Sequence, residues 1–340
     1  MKTAVVILNW NTRDYLSRFI PLLLKSAEGM DAKVWVADNA STDGSADLVA
    51  AEFPGVGLVR LEENYGFTGG YNRALAQIET DYYVLINSDV EAPENWLRPL
   101  VDWMDAHPRC GACGPKLLSY DDRTAFEYAG AAGGLIDRYG FPFCRGRVYK
   151  KIEKDHGQYD TAADVLWVSG ACLMVRAALW KEMGGLDERF FAHMEEIDLC
   201  WRMQLRGYSV TVVPESYVYH IGGGTLPATS PRKLFFNYRN NLLLLQNNLA
   251  ATYKALDPAR SDASCYARAN WRIFLRMCLD GAAAMIYLFT GRWKSFGAVL
   301  KAHNSFRALS RKPDISAQEK ASVAGLSKKC MLLGPILPRR

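Results

Sequence analysis

Apolar positions in the first hundred residues come as short solid runs separated by longer, periodic stretches. Val5-Val6-Ile7-Leu8 is a continuous run rich in β-branched residues, the mark of a strand buried on both faces. From Asp14 to Ser26 the apolar residues Tyr15, Phe19, Leu22 and Leu23 recur at helical spacing. Val34-Trp35-Val36-Ala37 predicts a second strand and a helix follows to Phe53. A third strand spans Val56 to Leu61, another helix runs to about Ile78, and Tyr82 to Ile86 is a fourth strand. Alternation at this pitch predicts βαβ units and a parallel sheet. Polar residues gather where each predicted strand ends, which is where open α/β sheets bind ligands.

The pattern changes after Gly114-Pro115-Lys116-Leu117-Leu118, a strand leaving this unit. Residues 119–165 are polar, rich in Gly and aromatics and weakly periodic, and are expected to form a long loop over a substrate. Val165 to Arg176 holds two strand-like runs around Ser169-Gly170. A helix is predicted from near Glu195 to before Gly207, and strands at Val210–Val213 and Tyr217–His220. The glycines from Gly222 to Gly224 suggest a mobile loop. Residues 232–248 predict a helix packed back on the preceding unit. Beyond Asp257-Pro258, Arg268, Arg272 and Arg276 recur every four residues, with Trp271, Phe274, Leu275, Cys278 and Leu279 on other sides. The expected organisation is a catalytic unit over 1–250, with halves 1–113 and 114–250, and a helical extension over 251–340.

Composition sharpens only part of this picture. With 340 residues, 49% apolar and 23% charged, the chain is neither disordered nor collagen-like and can bury a large core. The net charge of +5 hides a division. Residues 251–340 carry 16 Lys and Arg against 5 Asp and Glu, a net of +11; the remaining 25 and 31 give residues 1–250 a net of −6. A basic, aromatic extension points to an anionic membrane surface, and no nucleic-acid motif accompanies the charge. The Met1–Asn11 segment holds too short an apolar stretch for a secretory signal. No run reaches the roughly 18–20 apolar residues that span a bilayer. A cytoplasmic chain, peripheral on the inner face of the cell membrane, is therefore expected. Only Cys110 and Cys113 have CxxC spacing, and without a second pair they read as small apolar residues in a reducing compartment.

Several residues carry candidate chemistry. Asp38 suits a hydrogen bond to a ribose or base, or, with Ser41 and Asp43, caps the next helix. Neither GxGxxG after the first strand nor GxxxxGK[ST] is present, which disfavours a dinucleotide fold and a P-loop. Asp89 ends a very apolar strand, where a carboxylate is costly unless paired or bound to a cation. Glu195, Glu196 and Asp198 open a predicted helix, where they favour the helix dipole or pair with Arg202.

Four segments, Val5 to Asn11, Asp38 to Ser45, Asn64 to Asn72 and Asn87 to Val90, resemble in order and spacing those of family 2 glycosyltransferases, most like a bacterial rhamnosyltransferase-type branch. The similarity covers about residues 3–245. It implies a GT-A fold, α/β with a mostly parallel central sheet flanked by helices. It also implies a nucleotide-diphosphate sugar donor, a divalent metal and inversion at the anomeric carbon. The resemblance places Asn87-Ser88-Asp89 at the family's metal motif, with Asp89 and, after a later strand, His220 as ligands of Mg²⁺ or Mn²⁺. Donor contacts are expected from Asn9, Asn11, Asp38, Asn39, Asn64, Gly66, Phe67, Gly70, Asn72, Asn87 and Ser88. Glu195-Glu196 matches the family's acidic pair, with Glu196 as general base and Glu195 as the substitute candidate. Trp167, Ser169, Gly170 and Asp198 are expected to line the acceptor site. The implied activity transfers a sugar from dTDP-rhamnose or a UDP-hexose to a hydroxyl of a glycan or lipid-linked acceptor in cell-surface polysaccharide synthesis. A metal-dependent sugar-phosphate nucleotidyltransferase and a non-catalytic glycan- or nucleotide-binding scaffold are the alternatives.

Overall fold

The structure, a computed structural model, describes residues 1–222 and 230–315. β1 (Thr3–Asn9) is buried along almost its whole length, as a solid apolar run requires. α1 (Arg13–Ala27) packs Leu16, Phe19, Ile20 and Leu23 inward, an i, i+3, i+4, i+7 stripe, while Leu22 is exposed. Phe19 and Leu23 lie on the expected face, Tyr15 sits at its edge, and Leu16 and Ile20 take the inward place expected of Leu22. β2 (Ala32–Asp38), α2 (Ser45–Glu52), β3 (Gly57–Arg60), α3 (Gly66–Leu75) and β4 (Tyr82–Ile86) complete the alternation. The strands lie in the order β3-β2-β1-β4, all parallel. Asn9 falls opposite Asp38 and Ile7 opposite Ile86, so the polar ends of three strands share one edge.

The second half extends the same sheet. β5 (Val90–Glu91) and α4 (Leu97–Ala106) lead into β6 (Cys110–Ser119). Cys110 and Cys113 are buried in β6, and burial pushes both thiols up. Residues 119–165 are not the unpatterned loop expected. They hold β7 (Gly134–Ile136), β8 (Pro142–Cys144), β9 (Arg147–Val148) and β10 (Lys151–Ile152), a small antiparallel sheet, and β11 (Ala163–Asp164). Strands of two or three residues are too short for alternation to be read from sequence.

β12 (Cys172–Arg176) inserts antiparallel between β4 and β6. α5 (Ala177–Glu182) and α6 (Glu195–Leu205) follow. β13 (Ser209–His220) then runs parallel to β6 as one strand, with a register shift between Val212 and Tyr217 where two strands were predicted. The central sheet reads β11-β13-β6-β12-β4-β1-β2-β3, with β5 on β13. That last pairing sets His220 opposite Val90 and beside Asp89.

α7 (Pro231–Leu256) packs on α6, buries Leu242 to Leu245 in the apolar core and carries α8 (Asp262–Phe289) and α9 (Trp293–Leu309). The division expected after residue 250 falls inside α7, which runs unbroken to Leu256 before Asp257-Pro258. Cys265, Ala269, Ile273 and Phe306 join the same apolar core as the sheet. Arg276 does not share the exposure of Arg268: it is buried, pairs with Asp280 at 2.8 Å and stacks on Phe141. The glycine loop from Gly223 onward and the Lys328–Arg340 end lie outside the described residues.

Candidate active site

The strand ends of β1, β2 and β4 build one polar edge. Asn9 Nδ2 donates to Asp38 Oδ1 (2.8 Å) and Ser41 Oγ (3.0 Å), and Ser41 N donates to the other Asp38 oxygen (3.0 Å). The bend at Asn11, with φ of 55°, lets its Oδ1 accept from Thr42 N at 2.7 Å. The Thr12 hydroxyl lies 2.9 Å from Ser88 Oγ, joining this edge to Asn87-Ser88-Asp89. Asn39 donates to Asn64 Oδ1 and to Gly66 O, both at 3.0 Å. The capping alternative holds for Asp43, which accepts from Ser45 N, while Asp38 fixes the turn itself.

Asp89 and His220 meet at the adjoining edge, with Asp89 Oδ1 3.2 Å from His220 Nε2. Both are buried, and the other ring nitrogen of His220 stands 3.6 Å from Glu127 Oε1. Burial opposes charge on each group, yet their pairing prevails. Asp89 is held below the usual carboxylate range, and His220, between two carboxylates, rises to about 10. A positive charge is thus strongly favoured here. Carboxylate oxygen plus imidazole nitrogen, with a second carboxylate on the far ring nitrogen, fits the donor chemistry of Mg²⁺ or Mn²⁺. Among the described residues no three His, Cys, Asp or Glu side chains form a metal cage by themselves. The chain offers a partial ligand set that a diphosphate and water can complete.

The acidic pair sits at the start of α6. Gly170 separates Glu196 from Phe67: a Cβ on Gly170 would lie 3.6 Å from the Glu196 Cβ and 3.6 Å from the Phe67 ring. One carboxylate oxygen of Glu195 and one of Glu196 are buried without a hydrogen-bond partner. Desolvation raises both groups. Glu196 is pushed up to about 7, and Glu195, with the Glu196 charge beside it, goes well above its ordinary value. Burial thus favours the neutral form of Glu195 and lifts Glu196 toward neutral pH, where its ionised form can accept a proton.

The segment before α6 is strained. Phe191, His193 and Met194 all have positive φ, between 63° and 72°, each costing about 1–3 kcal/mol. The Phe191 carbonyl accepts from Phe67 N at 2.7 Å and from Thr68 N at 3.2 Å, tying the Asn64–Asn72 segment to the acidic pair. Asn240 of α7 shares its amide protons among the carbonyls of Phe190, Ala192 and His193 at 2.7–3.0 Å, and Arg239 also donates to Phe190 O.

Six of the expected contacts are engaged within the protein. Asp198 is fully buried, bonded to Arg202 Nε (2.7 Å), Asn247 and Asn248. It joins α6 to α7. Trp167 is buried against Gly134, and its indole N–H donates to Leu135 O. Ser169 bonds Ala129 O, and Asn72 uses both ends of its amide on Leu186. Gly70 is where α3 rests on Leu8. Gly66 combines a φ of 71° with the Phe191 ring 2.6 Å from where a Cβ would stand, so only glycine fits.

Sequence reasoning missed Glu127, His193, Arg239 and Asn240. His193 is a neutral imidazole, lowered to about 4 by burial, with Nε2 unpartnered. Glu127 lies in the weakly patterned region, where no local period marks it. Arg239-Asn240-Asn241 could have been found: polar residues set against Leu242–Leu245 in a buried helix must be bonded to something.

Residues 4–180 match the sequence profile described as Glycosyl transferase family 2. An N-acetylglucosaminyl-diphospho-decaprenol L-rhamnosyltransferase of Mycobacterium tuberculosis is 30% identical over 232 residues, covering 64% of this chain and 75% of that protein. Rhamnosyltransferase WbbL of Escherichia coli K12 is 22% identical over 223 residues, covering 64% and 82%. In shape, the mannosyltransferase PcManGT of Pyrobaculum calidifontis, solved with GDP-Man and Mn²⁺, superposes with a TM-score of 0.54 at 15% identity, covering 91% of this chain and 88% of that one. S. aureus TarS 1-349 with UDP-GlcNAc gives 0.52 at 17% identity, covering 91% and 93%. These shapes speak for the fold, a GT-A-like α/β arrangement with C-terminal helices.

Proposed function

The chain belongs to glycosyl transferase family 2, and from that premise we propose that it moves a sugar, with inversion, from a nucleotide-diphosphate donor to a hydroxyl of a lipid-linked or growing surface glycan. The observation that carries this reading is the Glu195–Glu196 pair, set beside Gly170 and Phe67 with Glu196 raised to about 7. The nucleotide lies along the edge built by Asn9, Asn11, Asp38, Asn39 and Asn64, with the diphosphate toward Asn87 and Ser88. Asp89 and His220 would hold Mg²⁺ or Mn²⁺, with Glu127 orienting the His220 ring. A bound ion would supply positive charge to the diphosphate. Glu196 takes the acceptor hydroxyl proton as the oxygen bonds to the anomeric carbon. The bond from that carbon to the diphosphate oxygen breaks, and its electron pair leaves with the nucleotide diphosphate.

The names of the Mycobacterium tuberculosis and Escherichia coli relatives favour an activated rhamnose donor, dTDP-rhamnose first, with UDP-hexoses next. The first of them also favours a diphospho-polyprenol-linked sugar as acceptor. A thermal-shift panel of nucleotide sugars with and without Mn²⁺ selects the donor, and transfer to a diphospholipid-linked N-acetylglucosamine is then measured. Glu196→Gln should keep donor binding and lose turnover. Pyrophosphate release from a nucleoside triphosphate and a sugar phosphate would instead identify a nucleotidyltransferase. Unimpaired cellular function of Glu196→Gln would identify a binding scaffold.

A further inference from the structure

α8 has two apolar faces, and among the described residues only one is covered. Cys265, Ala269, Ile273 and Ala284 face the core together with the Arg276–Asp280 pair. The opposite side presents Trp271, Phe274, Cys278, Met285, Ile286 and Phe289. At 100° per residue these six fall within about 60° either side of one line along the helix. They are not grazing exposures: Phe289 is 82% exposed, Ile286 63%, Trp271 60% and Phe274 54%, and Trp293 at the start of α9 adds 66%. Contiguous apolar surface of several hundred Å² marks an interaction site.

Charge identifies the partner. Between Ile273 and Gly291 the only charged residues are Arg276 and Asp280, both buried and bonded to each other. The stripe therefore runs about 23 Å from Phe274 to Phe289 without an exposed charge. Both of its ends are cationic, with Arg268 and Arg272 beside Trp271, and Arg292 and Lys294 around Trp293. No acid stands among them, and Asp262, further back, is paired with Lys254. Pairing α8 with a second copy of itself sets these cations against like charges, in parallel or antiparallel orientation. No helix among the described residues is long and apolar enough to cross a membrane. We infer that α8 lies flat on a bilayer, its Trp271–Phe289 face sunk among the acyl chains and its terminal arginines and lysine on anionic headgroups. This inference stands on α8 and the Arg292–Lys294 turn that follows it, and is independent of the proposed sugar chemistry.

Flotation of the full chain tests it, using phosphatidylcholine vesicles with and without about a third phosphatidylglycerol. Wild type should float with the anionic vesicles. Phe274→Glu/Phe289→Glu and Arg292→Glu/Lys294→Glu should each lose vesicle binding by at least about tenfold while keeping their thermal transition and monomeric mass. Wild type that does not float overturns the inference, and so does an apolar-face variant that floats as well as wild type. A wild-type dimer that Phe274→Glu/Phe289→Glu splits without changing flotation assigns the face to self-association instead.

Discussion

Asn240, in the middle of α7, donates its side-chain amide to the carbonyl oxygen of His193 at 2.7 Å. The same amide reaches Phe190 O and Ala192 O, so one side chain of the C-terminal helical layer holds the left-handed turn that aims Glu195 and Glu196. Phe190 O keeps Arg239 as a donor, but taking this amide from the Ala192 and His193 carbonyls costs about 1–3 kcal/mol and frees the turn to relax. Asn240→Ala should lower stability by that amount and reduce kcat by about tenfold or more, with donor affinity little changed. Denaturation curves and steady-state kinetics on the same samples check this. A variant that is less stable but has normal kcat would confine Asn240 to a structural role.

Glu196 sets a pH dependence. Below about 7 it holds a proton and cannot accept another, so kcat should rise with pH and level off above about 7. Stability should slope the other way. The folded chain keeps protons on Glu195 and Glu196 that the unfolded chain releases above about 4.5, so stability falls as pH climbs from there through about 7. Glu196→Gln should cut kcat by about 10²–10⁴ and flatten part of that stability slope. A pH–rate profile with its acid limb still near 4.5 would remove Glu196 from the role of base.

Glu127 touches the His220 ring from the side away from Asp89. Glu127→Gln should weaken Mn²⁺ binding about 10–100-fold, read by electron paramagnetic resonance of free Mn²⁺ without any turnover. Asp89→Ala should weaken metal-dependent donor binding further. Mn²⁺ affinity unchanged in both variants would remove the metal from this pair.

Asp198 is a fully buried partner of Arg202, Asn247 and Asn248. Asp198→Ala leaves the Arg202 charge without its carboxylate and should cost about 3–5 kcal/mol, seen as a large fall in Tm. Acceptor KM in the protein that remains folded should stay near the wild-type value. A raised acceptor KM with normal Tm would return Asp198 to the acceptor site.

The first half of the fold was legible because each strand is a solid apolar run and each helix has its own period. Both are local properties that survive without tertiary context. Asn9, Asp38, Asn87 and Asp89 could be singled out because polar residues that end buried strands must meet a ligand or one another. The small sheet over 134–152 was not legible, since its strands are shorter than the period that would reveal them.

By itself, the sequence determined the βαβ order, the family and the acidic pair Glu195–Glu196. It also set the division between an acidic body and a basic end. Only the tertiary structure decided which polar residues have spare hydrogen-bonding capacity. Asn72 and Asp198 proved fully engaged inside the protein, while Glu127 and Asn240, from segments far along the chain, turned out to support the site. Tertiary structure likewise decided that Arg276 is buried and that the uncovered face of α8 is apolar. The physical reason is common to all of these. Local propensity and periodicity depend on neighbours in sequence, whereas burial and hydrogen-bond satisfaction depend on neighbours in space.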